Sequence, residues 1–187
     1  MKNKKGFSSV RTLTLAAMLT AISIVIGIFC KSFLDYGIIR ITFENIPIII
    51  SGIMFGPWIG AAVGTCADMI SYMLSIQKFE ISPIITIGAA LIGIVSGLIF
   101  RIKRNGFNSK RIILAVFLSH TVGSMLVKSA GLFYIYENIY GSGWFVLYRI
   151  PLYIVIATIE SIIICAMLKN RYFKRYMISR GINYELQ

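Results

Sequence analysis

Six apolar stretches, each near the length that crosses a bilayer, take up most of this chain. A hydrocarbon core needs about 20 mostly apolar residues per helix. The stretches run over about 12–30, 38–55, 59–76, 84–100, 112–135 and 144–168. From Thr12 to Cys30 there is no Asp, Glu, Lys or Arg at all. Gly56-Pro57 divides the second stretch from the third. Pro57 has no N–H and biases Gly56 away from helical backbone, so a tight turn is predicted there. Ser82-Pro83 opens the fourth. No period-two alternation marks a strand. A chain of 187 residues, 57% hydrophobic and only 14% charged, carries more apolar surface than a soluble domain of that size hides. The expected fold is an all-α integral membrane protein, a single domain over residues 1–187 with six transmembrane helices.

The net charge of +12 raises nucleic acid as a partner, and the placement of the cations decides the matter. Lys2, Lys4, Lys5 and Arg11 precede the first span. Arg101, Lys103, Arg104, Lys110 and Arg111 lie between the fourth and fifth, and Lys169, Arg171, Lys174, Arg175 and Arg180 follow the sixth. Glu185 is the only acid beside them. The opposite loops hold Lys31, Asp35, Lys78, Glu80 and Glu137, nearly neutral, with Arg40 at a span entrance. Six spans put both termini on one face, and Lys/Arg collect on the cytoplasmic face. Both termini are therefore expected in the cytoplasm, and the charge is a topology signal rather than a nucleic-acid footprint. The first span is too long for a signal-peptide core and five more follow it. Cys30, Cys66 and Cys165 are far apart and read as small buried apolar residues, not as a disulfide or metal framework.

Enzyme chemistry finds no foothold. The string Gly123-Ser124-Met125-Leu126-Val127-Lys128-Ser129 has valine where a phosphate-cradling loop needs glycine, and it falls within a predicted helix. There is one histidine, no His/Cys/carboxylate cluster at metal-ligand spacing, and no nucleophile elbow. No catalytic residue, metal or cofactor is expected.

Charges inside spans are costly unless paired or hydrated, so each is a functional candidate. Counting about 1.5 Å per residue from the cytoplasmic ends, Asp68, His120 and Glu160 fall at roughly 12–14 Å and Glu44 at about 16 Å. Arg40, Lys128 and Arg149 fall at roughly 22–29 Å. Cations above acids suit a pocket that opens outward. Arginine and lysine near the mouth hold an anionic tail, and deeper carboxylates accept ring N–H and amine groups of a heterocycle. Phe43, Tyr72, Phe79, Phe133, Tyr134, Trp144, Tyr148 and Tyr153 stand at heights that allow stacking on a flat ring. Other readings stand beside these. His120 and Glu160 match in depth and also fit a structural pair between two helices. Arg40 and Arg149 also fit snorkelling anchors. Trp144 and Tyr148 also fit an interfacial aromatic belt.

Small residues add a second kind of surface. Ala17 and Ala21 share a helix face and leave a groove for a close-packed partner helix, and Gly60/Gly64 and Gly93/Gly97 repeat that spacing. With Ala17 and Ala21, the run Ile39-Arg40-Ile41-Thr42-Phe43-Glu44-Asn45-Ile46-Pro47, continuing through Gly52 to Pro57 and on to Gly60, Gly64 and Asp68, resembles the substrate-binding S components of energy-coupling factor (ECF) vitamin transporters. Asp68 after the Gly-Pro turn is most similar to the folate-type branch. The resemblance implies capture of a folate-like vitamin outside the bacterial cytoplasmic membrane. It further implies docking through the Ala17/Ala21 face on a transmembrane coupling protein, with ATP hydrolysed by two partner ATPase subunits. On that reading Arg40, Glu44, Asp68, Tyr72, Lys128, Trp144, Tyr148 and Arg149 bind substrate. An S component for riboflavin, thiamine or pantothenate, and a non-transport scaffold subunit, remain alternatives.

Overall fold

The structure, a computed structural model, describes residues 10–33, 42–74, 83–102, 109–131, 144–171 and 173. It is helical, with no strand among the described residues. In chain order the helices are α1 (Val10–Phe33), α2 (Asn45–Phe55), α3 (Pro57–Leu74), α4 (Pro83–Ile102), α5 (Ser109–Ser119) and α6 (Trp144–Lys169). A π-helical stretch, His120–Lys128, carries α5 onward.

Among the described residues, four helical segments are long and apolar enough to cross a membrane: Val10–Phe33, Pro83–Arg101, Ser109–Gly131 and Arg149–Lys169. The two remaining helices differ from the spans expected of them. α3 is 18 residues long, but Gly60, Gly64, Thr65, Asp68 and Ser71 dilute its apolar character. α2 has only 11 residues, about 16 Å of rise, roughly half the thickness of a hydrocarbon core. Thr42 and Phe43 are irregular, and residues 38–41 lie outside the described ones. The chain at Glu44 is held from the side instead of by a further helical turn: Ser23 Oγ of α1 donates to Glu44 O at 2.7 Å.

α2 occupies the centre. Every residue from Asn45 to Phe55 is buried, and the helix touches α1, α3, α4 and α6. Its isoleucines 48, 49, 50 and 53 form a core with Ile92, Ile112, Val116, Ile164 and Leu168. Large apolar side chains also point outward, among them Val25, Phe29, Met73, Leu114, Leu126, Val155 and Ile162. So much exposed apolar area on several helices suits lipid, not water.

The glycines explain how closely the central helices pack. A Cβ on Gly93 would lie 2.2 Å from the carbonyl carbon and oxygen of Gly60, and one on Gly52 would lie 2.5 Å from Gly93 O. Helices α2, α3 and α4 thus cross backbone to backbone, a contact only small residues permit. Gly56 has φ 105° and makes the predicted turn between α2 and α3. Its N–H bonds to Gly52 O at 2.9 Å, and Arg101 Nη2 donates to Phe55 O at 3.1 Å. A guanidinium on the last carbonyls of a helix satisfies acceptors that have no intrahelical partner.

Candidate functional site

The site is built around Glu44, at the N-terminus of α2, with 5% of its surface exposed. α1 supplies one side of its seat. Ser23, Gly27 and Lys31 are spaced by four and share a buried face of that helix. Ser23 holds the Glu44 main chain, as above. Gly27 makes room, since a Cβ there would lie 2.8 Å from Glu44 Oε2. Lys31 Nζ pairs with that same Oε2 at 3.7 Å and sits 4.2 Å over the Tyr72 ring of α3, a cation–π distance. From the opposite side, Lys128 Nζ donates to Glu44 Oε1 at 3.2 Å and to Asn45 Oδ1 at 3.4 Å. Gly88 of α4 leaves space for the lysine stem, because a Cβ there would meet Lys128 Cγ at 2.7 Å. Lys31 and Lys128 are 1% and 8% exposed. One buried carboxylate thus has an ammonium beside each oxygen.

A cavity of about 20 Å³ adjoins this cluster, lined by Thr42, Glu44, Ile85, Ser124, Lys128, Arg149 and Tyr153. Arg149 is buried, its Nη2 donates to Tyr153 OH, and its guanidinium lies 5.2 Å from that ring. Ser124 Oγ is buried with no hydrogen-bond partner among the described residues. Asp68, on α3, accepts a hydrogen bond from Thr86 Oγ1 of α4 at 2.8 Å through Oδ2. Its Oδ1 is buried with no hydrogen-bond partner among the described residues, an acceptor held in place but unused by them.

A separate groove of about 410 Å³ runs between α1 and α3. Ala16, Ala17, Thr20 and Ala21 form one wall, and Ile59, Ala62, Val63, Cys66 and Ile70 the other. Ala17 and Ala21 are exposed on it.

Residues 11–183 match the family described as ECF transporter, substrate-specific component. The chain belongs to that family. This S component is 37% identical over 79 residues to the folate transporter FolT of Clostridium novyi (strain NT); the alignment spans 42% of this chain and 44% of the relative, less than half of either. Its fold is similar to the crystal structure of FolT bound with folic acid, with a TM-score of 0.67, 85% of this chain and 93% of that chain covered, and 21% identity. A family of transporter substrate-binding components is not an enzyme class.

Within this S component the residues singled out from the sequence fall into three groups. Glu44, Lys128 and Arg149 meet at one cavity. Tyr72 joins them through Lys31, and Asp68 stands apart from the cavity, bridging α3 and α4. Arg40 lies outside the described residues. Trp144 and Tyr148 are in the first turns of α6, and their side chains lie outside the description. The two expected layers of charge are not separate, because Lys128 reaches Glu44 directly.

Lys31, read from the sequence as a loop cation, is a correction. α1 extends through it to Phe33, and its side chain points into the protein. The spacing Ser23, Gly27, Lys31 on one face was the available signal. Cys66 is a second correction: it is exposed, whereas Cys30 is buried and Cys165 half-buried. Cys66 falls in register with Ala62 and Ile70 on the outer face of α3, opposite the face of Gly64 and Asp68. His120 Nε2 and Glu160 Oε2 share a hydrogen bond between the start of the π stretch and α6, both buried and away from the cavity.

Proposed function

We propose that this S component binds folate at the outward end of its helix bundle and delivers it as part of an ATP-driven importer in a bacterial cytoplasmic membrane. The observation that carries the reading is the buried Glu44–Lys128 pair beside Arg149, in a chain of this family whose relatives include a folate transporter. Lys128 and Arg149, with Arg40, hold the anionic tail through charge-assisted bonds. Asp68 Oδ1 accepts from a ring N–H, and Tyr72, Trp144 and Tyr148 bear on the flat ring. A cavity of about 20 Å³ holds about one water, so ligand capture parts Lys128 from Glu44 and widens the space between α2, the π stretch and α6.

The basic segments place both termini in the cytoplasm. The α1–α3 groove, with Ala17 and Ala21, receives a helix of the coupling protein, and partner ATPases supply the energy. Calorimetric titration of the purified protein with folic acid, riboflavin, thiamine and pantothenate tests the substrate. Tight binding of folic acid alone is expected; tight binding of another vitamin and none of folic acid overturns it. Docking is tested by co-purification with a coupling protein and its ATPases. Ala17→Trp and Ala21→Trp are expected to abolish the complex and leave folic acid binding intact, and complexes that survive both substitutions move the docking face elsewhere.

A further inference from the structure

We infer that Lys31 is a positioning residue that acts through Glu44, allowing Lys128 to exchange that carboxylate for the anionic group of the ligand. The inference rests on the reading of the cavity as a site for an anionic vitamin.

The two oxygens of Glu44 are divided between two cations from different helices, Oε1 with Lys128 at 3.2 Å and Oε2 with Lys31 at 3.7 Å. Only Lys128 lines the cavity; Lys31 stands behind the carboxylate and does not. Removing one partner of a buried ion pair is strongly unfavourable because it leaves the other charge uncompensated. With Lys128 as the sole counter-ion, a ligand anion would have to strip it from Glu44 and leave a bare carboxylate in the protein interior. With Lys31 on Oε2, Glu44 keeps a cation after Lys128 turns toward the cavity. Gly27 lets the carboxylate come this close to α1, and the Tyr72 ring holds the Lys31 ammonium in place. A cation that never meets the ligand thereby lowers the barrier to its capture. Ligands without an anionic group do not need the exchange, so Lys31 also favours anionic over neutral members of one ligand class.

The experiment titrates folic acid into full-length protein in detergent, as wild type, Lys31→Met, Glu44→Gln and the double variant, with a neutral pterin lacking the charged tail as the control ligand. Lys31→Met is expected to raise Kd for folic acid by about 100-fold or more, the scale of an unpaired buried charge, and to change Kd for the neutral pterin by less than about threefold. In the Glu44→Gln background, where no carboxylate needs a counter-ion, the same substitution is expected to change Kd for folic acid by less than about threefold. Wild-type affinity for folic acid in Lys31→Met, or an equal loss in both backgrounds, overturns the inference. If Lys31→Met does not fold, the double variant decides: folic acid binding within tenfold of Glu44→Gln supports the inference and failure to bind overturns it. A wild-type protein that ignores folic acid overturns the functional reading instead, an outcome that does not depend on position 31.

Discussion

At the level of single residues, the position of Lys128 between a protein carboxylate and the cavity sets what its loss does. Lys128→Ala removes hydrogen bonds to Glu44 and Asn45 but leaves Lys31 beside the carboxylate. It is expected to weaken folic acid binding by about 1.5–3 kcal/mol, the range for a bond to a charged group, while the melting temperature in detergent falls only slightly. An unchanged Kd by calorimetry would make Lys128 purely structural. Glu44, Asp68 and Lys128 were legible because each interrupts an apolar run, where a charge demands a reason. Lys31 was not, because it stands at the end of such a run, where a lysine ordinarily snorkels to water. Its partner Glu44 belongs to the next helix, and no local spacing rule links the two.

At the level of elements, the Gly56-Pro57 turn was legible from its chemistry, and the small-residue pairs were legible as packing faces. Which helices they join was not, since Gly60 and Gly93 meet only when α3 and α4 are folded together. Gly93→Val is expected to destabilise the bundle by about 3 kcal/mol, the upper end for overpacking, read as a drop in melting temperature in detergent. A valine at an outward position on the same helix, Ile87→Val, is expected to be nearly silent. The π stretch left no mark on the composition of His120–Lys128, because it is a matter of backbone hydrogen-bond register, five residues apart instead of four. π-helical turns concentrate at functional sites, and this one ends on Lys128. Deleting Thr121, an exposed residue within it, removes the extra residue that a π turn holds. It is expected to let the stretch close as an α-helix with Lys128 kept in register facing Glu44, since a π turn is one residue absorbed into an α-helix. Retained folic acid binding with the helical circular dichroism unchanged would show this; loss of affinity would mean that the π geometry itself holds Lys128 at the site.

At the level of the whole molecule, the basic clusters and the buried charges serve different ends. On the proposed topology the clusters set orientation, so a protease site added after Gln187 is expected to resist cleavage in right-side-out vesicles and to be cut in inverted ones. α1 belongs to two surfaces at once. One of its faces holds Glu44 through Ser23, Gly27 and Lys31, and another opens Ala17 and Ala21 into the groove with α3. The enclosure of α2 bears on how the protein is made. An eleven-residue helix buried along its whole length reaches about halfway through a bilayer core and has no side of its own to offer lipid. Such a helix is expected to leave the insertion machinery together with its neighbours rather than as a finished span. Its surroundings are complete once α3 and α4, whose glycines it packs against, and finally α6 have been delivered, so the order of synthesis is expected to become an order of assembly with the centre closed last.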